Sequence, residues 1–217
     1  MRRVSITLLM LAAAVAAVLV VAQHPFAPSA FEFQQYRQYS GVLETWPYPV
    51  FIENGRSYLL AAAGKHGFDA GEFAGRRVSF HGALIHRPEG YMLEVLTGSM
   101  KSRGTAPPLA APVSLGEVTL TGEVVDTKCF LGVMNPGSGK VHRACAARCI
   151  SGGLPPALLA RDATGETRLV VLTGRDNRKL NRELLPFAGE HVTARGELLR
   201  AATGLVLKSE PRDFHRE

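Results

Sequence analysis

The chain is 217 residues long, 46% apolar and 20% charged, with a net charge of +6, and that apolar content excludes a generally disordered protein. Arg2 and Arg3 account for two of the surplus charges, and the rest are dispersed along the chain. With no basic helix, no basic patch interleaved with aromatics and no nucleic-acid motif, the expected surface is soluble and mildly basic, with no nucleic-acid partner.

Residues 4–22, VSITLLMLAAAVAAVLVVA, carry no charge, and a helix of that length spans about 28 Å, close to the thickness of bilayer hydrocarbon. Arg2 and Arg3 precede it and the first acidic residue is Glu32. The positive-inside rule therefore puts residues 1–3 in the cytoplasm and everything after the anchor outside it. The expectation is a single-pass inner-membrane protein with periplasmic C-terminal domains. A cleaved signal peptide competes, since Val20 and Ala22 suit a signal peptidase, but secretory apolar cores run only about 7–15 residues, which favours a retained anchor.

Beyond the anchor the chain repeats itself. FAGRRVSFHGALIHRPEGYMLEV from Phe73 aligns without gaps on FAGEHVTARGELLRAATGLVLKS from Phe187, an offset of 114, and GRSYLLAAAGK from Gly55 aligns on GETRLVVLTGR from Gly165, an offset of 110. Alternating or apolar runs with glycine at bends and turns read as short strands. Earlier in each copy, YSGVLET and LTGEVVD add one more glycine-led strand. Four to five strands with glycine corners predict a small closed barrel, most like an OB-fold. The expected layout is mainly β: OB-like domain 1 over 36–101, a Pro- and Ala-rich linker over 102–114, and OB-like domain 2 over 115–212. Trp46, Pro47, Tyr48 and Pro49 read as packing within the first copy.

The second copy is longer. Gly41 and Gly55 are 14 residues apart, whereas Gly122 and Gly165 are 43 apart. The excess falls at about 127–156, where Cys129, His142, Cys145 and Cys149 gather every thiol of the chain with one imidazole. NPGSGK, residues 135–140, reads as a loop, and VHRACAARCIS, residues 141–151, as a helix stopped by Gly152, Gly153 and Pro155. On that helix His142, Cys145 and Cys149 share one face, which Cys129 approaches from the preceding strand.

Three chemistries fit. Three thiolates and an imidazole suit zinc or an iron–sulfur cluster. A disulfide from Cys129 to a helical cysteine would staple the insertion in an oxidising compartment, leaving one thiol over. A thiol nucleophile activated by His142, Arg143 and Arg148 is the third. Asp126 is placed to hold His142 from behind a metal. His66, His81, His86 and His191 are not expected to be ligands. Cys-x-x-Cys-His is absent, which argues against c-type haem. No Walker loop, Rossmann fingerprint or ordered Ser-His-Asp set offers another centre, and whether the protein is an enzyme stays open.

The segment GEVVDTKCFLGVMNPGSGKVHRACAARCISGGLPP resembles one found in uncharacterised, membrane-anchored bacterial proteins with the pattern Asp-x-x-Cys, His-x-x-Cys-Ala and Gly-Gly-x-Pro-Pro. The resemblance covers the middle of the second copy together with the anchor and the general layout, and implies no activity. The leading expectation is a metal- or cluster-binding accessory module serving a membrane redox complex. The alternatives are a disulfide-stapled assembly domain and a thiol-dependent redox enzyme.

Overall fold

The computed structural model describes residues 2–22 and 28–217; Met1, part of the segment expected in the cytoplasm, lies outside them. Helix α1 (Arg2–Ala22) contains one apolar stretch, Val4–Ala22, with none of its residues buried. It is long and apolar enough to cross a membrane or to serve as a signal sequence.

The rest is β structure. A two-residue strand β1 (Ala30–Phe31) leads into β2 (Arg37–Glu44), β3 (Val50–Glu53), β4 (Arg56–Ala61), β5 (Arg76–Arg87) and β6 (Gly90–Val95). Strand β2 pairs with β3, β3 with β4, β4 with β6 in parallel, β6 with β5, and β5 returns to β2. The first barrel is thereby closed. After β7 (Lys101–Thr105), the second is built from β8 (Val113–Asp126), β9 (Pro156–Arg161), β10 (Thr167–Gly174), β11 (His191–Ala201) and β12 (Gly204–Ser209), with β13 (Phe214–Arg216) on the edge of β11. Its pairing is the same: β8 with β9, β9 with β10, β10 with β12 in parallel, β12 with β11, β11 with β8. These are the two tandem OB-like barrels expected from the repeat.

The register explains the repeated glycines. Gly41 faces Val78 in the first barrel and Gly122 faces Val192 in the second. A Cβ on Gly41 would lie 2.1 Å from the Ile52 carbonyl oxygen, and one on Gly122 would lie 2.4 Å from that of Leu159. Only glycine lets the first strand bend this tightly under the second. One alignment shifts. The parallel pairs Leu60–Leu93 and Leu172–Leu207 place β4 on β10 at an offset of 112 rather than 110. A two-residue slip leaves every side chain on the same face, so alternation alone does not detect it.

The linker is also shorter than 102–114. Lys101–Thr105 forms β7 against β5, and β8 begins at Val113, which leaves 106–112 as the connection. Strand β7 is exposed at every position, so its sequence lacks the alternation that marks a half-buried strand.

Each barrel has its own core. Phe51 and Phe80 meet edge-on at 4.9 Å in the first, and Val124, Leu158, Val170 and Leu207 fill the second. A third apolar cluster joins them: Tyr48, Ile85 and Met92 from the first barrel pack with Val125, Val171 and Val206 from the second, around Cys129, Leu131 and Cys149. Trp46 and Tyr48 belong to this seam rather than to the first copy alone. Trp46 Nε1 donates to Asn177 Oδ1 and Tyr48 Oη to Asn181 Oδ1, each at 3.0 Å. Asn181 Nδ2 in turn donates to the Ile150 and Leu154 carbonyls.

Backbone meets backbone at the far side of the seam. Gly67 N donates to the Gly152 carbonyl at 2.9 Å; a Cβ on Gly152 would lie 1.9 Å from the Lys65 carbonyl oxygen, and one on Gly67 would lie 2.2 Å from that of Gly153. Gly152 is therefore required by a partner loop as well as by the helix stop, whereas Gly153 is favoured by its positive φ of 94°. Gly152→Ala is expected to destabilise the chain by about 1–3 kcal/mol, the usual cost of overpacking where neighbours cannot retreat, read as a fall in the urea midpoint at unchanged slope.

Candidate metal centre

The centre is assembled where β8 ends. Asp126, its last residue, is fully buried, and the chain then winds into a short helical turn that includes Cys129–Val133. Asp126 Oδ1 accepts a hydrogen bond from Cys129 N at 2.8 Å, which fixes the turn and aims the Cys129 side chain. The NPGSGK loop then carries the chain to α2 (Arg143–Ser151), nine residues long and two shorter at its start than the sequence pattern implied. His142 stands at its N-cap, with Cys145 and Cys149 one turn apart along it.

The four residues converge as the shared helix face requires. Cys129 Sγ lies 3.8 Å from Cys145 Sγ and 3.7 Å from Cys149 Sγ, and all three thiols are free. A disulfide needs about 2.05 Å. The ligand atoms of Cys129, His142 and Cys145 lie within 4.8 Å of one another, as do those of Asp126, Cys129 and Cys149, so the cluster is close enough to hold a metal ion and Cys129 is common to both groups. His142 Nε2 lies 2.9 Å from Asp126 Oδ2, the contact foreseen for this pair. Both carboxylate oxygens of Asp126 are thus engaged. Cys129, Cys149 and His142 are buried and Cys145 is half-buried.

The thiols do not share their proton evenly. The Cys149 thiol is held below its ordinary value, first by the hydrogen bond with Cys129 and then by the positive charge of Lys65. Cys129 is pushed up, by that same hydrogen bond and by burial. Burial alone raises both, so it is the Cys129–Cys149 contact that moves the two thiols in opposite directions.

Two functional side chains carry no signal in the sequence. Lys65, in the loop after β4, places Nζ 2.7 Å from Cys145 Sγ, and this contact holds Lys65 above the usual lysine range. Lys128, beside Cys129, is buried with Nζ at 2.7 Å from the Ala62 and Gly64 carbonyls and 2.6 Å from Glu94 Oε2. Both reach across the seam, and only the tertiary fold brings Lys65 to Cys145 and Lys128 to its partners in the first barrel. Of the other histidines, His66, His81 and His191 are exposed and His86 is half-buried, none of them in a metal-competent group among the described residues. Arg143 pairs with Glu190 at 2.5 Å and Arg148 is exposed. No family model, curated protein or solved structure matches this chain.

Proposed function

We propose that the protein is a membrane-anchored, extracytoplasmic accessory module whose Cys129, His142, Cys145 and Cys149 hold one tetrahedral metal ion, zinc by its ligand chemistry. The observation that carries this reading is the sulfur spacing. Four ligands about 2.3 Å from a tetrahedral ion stand about 3.8 Å apart, and Cys129 lies at 3.8 and 3.7 Å from two other sulfurs. An iron–sulfur cluster spreads its thiolates over separate irons, at most two to each. One sulfur at edge distance from two others fits a single ion better.

The outer residues support the same assignment. Asp126 engages Nε2 of His142, which leaves Nδ1 for the metal in the carboxylate–histidine–metal arrangement. With both its oxygens already partnered, Asp126 positions ligands instead of joining them. Four protein ligands leave no position for water, the pattern of a structural ion. Such an ion fastens the insertion into the seam, and the anchor holds the pair of barrels at a membrane, where a membrane protein complex is the fitting partner.

Elemental analysis of the full chain, purified in detergent without added metal, is expected to find close to one zinc per chain and no acid-labile sulfide. Stoichiometric iron with sulfide would replace the single ion by a cluster. Metal-free protein carrying a Cys129–Cys145 or Cys129–Cys149 disulfide would instead favour a redox dithiol, a reading to which the proximity of Cys129 to both helical sulfurs lends its one observation.

A further inference from the structure

All four ligands of the proposed centre come from the second barrel, yet its most exposed sulfur is covered from the first. Lys65 Nζ stands 2.7 Å from Cys145 Sγ. The loop that carries it is not free to drift: Gly67 N is bonded to the Gly152 carbonyl, the Lys65 carbonyl abuts Gly152, and the Ala62 and Gly64 carbonyls accept from Lys128. This loop is thus pinned from both ends of the insertion.

Charge balance gives the lysine a task. A divalent ion with three thiolates and a neutral imidazole is a net anion, and the buried Asp126 carboxylate adds to it. Of the neighbouring cations, Lys128 pairs with Glu94, Arg143 pairs with Glu190, and Arg148 is exposed to solvent. Lys65 is the cation in contact with a ligand sulfur. Resting on the metal reading above, we infer that Lys65 is a positioning residue of the centre: from the first barrel it donates to the metal-bound Cys145 sulfur, so metal affinity and closure of the seam are linked.

Because the linkage is thermodynamic, each process favours the other by the same factor. Hydrogen bonds to a ligating group tune both affinity and electronic character, and losing such a partner costs about 10–100-fold in affinity. The side chain of Lys65 is exposed, so replacing it disturbs no core.

The test is cobalt titration of the full chain in detergent, using wild type, Lys65→Met and Lys65→Arg. Wild type is expected to give a tetrahedral Co(II) spectrum with sulfur-to-metal charge-transfer bands. Lys65→Met is expected to shift those bands and bind about tenfold or more weakly, with its metal-free Tm unchanged, whereas Lys65→Arg restores both towards wild type. Identical bands and affinity in Lys65→Met would overturn the inference and leave the metal reading intact. So would a fall in metal-free Tm equal to the fall in the loaded form, which marks a merely structural lysine. Wild-type protein that binds no cobalt would overturn the metal reading itself, and this inference with it.

Discussion

Stripping the metal with a strong chelator is expected to lower the Tm of the full chain by on the order of 10 °C, and Cys129→Ser to reproduce that loss without chelator. An ion present at a thousandfold its Kd stabilises by about 4 kcal/mol, and each kcal/mol moves the Tm of a body of this size by about 2–4 °C. Cys129 is the decisive candidate ligand because it belongs to both metal-competent groups and its amide is tied to Asp126. It is also packed into the apolar cluster that joins the barrels, so its loss is felt across the seam. The control is chelation of Cys129→Ser, which should change nothing further if metal is the cause. A chelator that leaves the wild-type Tm in place, with Cys129→Ser as stable as wild type, would remove the structural ion from the account.

That much of the centre was visible in the sequence because its candidate ligands are local. His142, Cys145 and Cys149 sit on one helix at spacings that share a face, and Cys129 precedes them by one loop. Barrel topology was legible for a similar reason. Gly41 and Gly122 recur because a strand crossing forbids a Cβ there, so a steric demand of the fold is written twice into the chain. The seam was not legible. Lys65 and Lys128 are ordinary lysines by composition, and their meaning comes from groups 80 and 34 residues away. The same holds for Trp46 and Tyr48, whose hydrogen-bond partners lie over 130 residues on. Strand β7 escaped because it is exposed on both faces and carries no pattern.

The seam also changes what the insertion is. In sequence it reads as a graft on the second barrel, but its residues fill the space between the two. Cys129, Leu131, Cys149 and Leu154 share one core with Tyr48, Ile85 and Met92. In the first barrel the corresponding connection from β2 to β3 is short, and it carries Tyr48 to the same place. One barrel contributes a brief aromatic loop and the other a long cysteine-bearing one, and the two fill a single junction. A structural ion here would fix the relative placement of two domains, which is how a small protein offers a rigid composite surface.

The ion pair between Lys128 and Glu94 is the second place where that placement is at risk, and its loss is expected to be as damaging as loss of the metal. Lys128 is 2% exposed and Glu94 5%, with Nζ and Oε2 2.6 Å apart. The two carbonyls that complete the ammonium's shell, from Ala62 and Gly64, belong to the loop that presents Lys65. Removing one partner of such a pair strands the other charge in a poorly solvated site, at a cost of about 3–5 kcal/mol. Glu94→Gln is therefore expected to destabilise by about that amount, measured by urea denaturation, and Lys128→Met similarly, since it leaves a carboxylate and two carbonyls without a donor. The double variant Lys128→Met/Glu94→Gln should be more stable than the sum of the single losses predicts, because neither isolated charge remains. Glu94 lies on β6 and Lys128 follows β8, so the coupling measured in that cycle is a coupling between barrels. Strict additivity of the two substitutions would show that the pair contributes nothing to the seam.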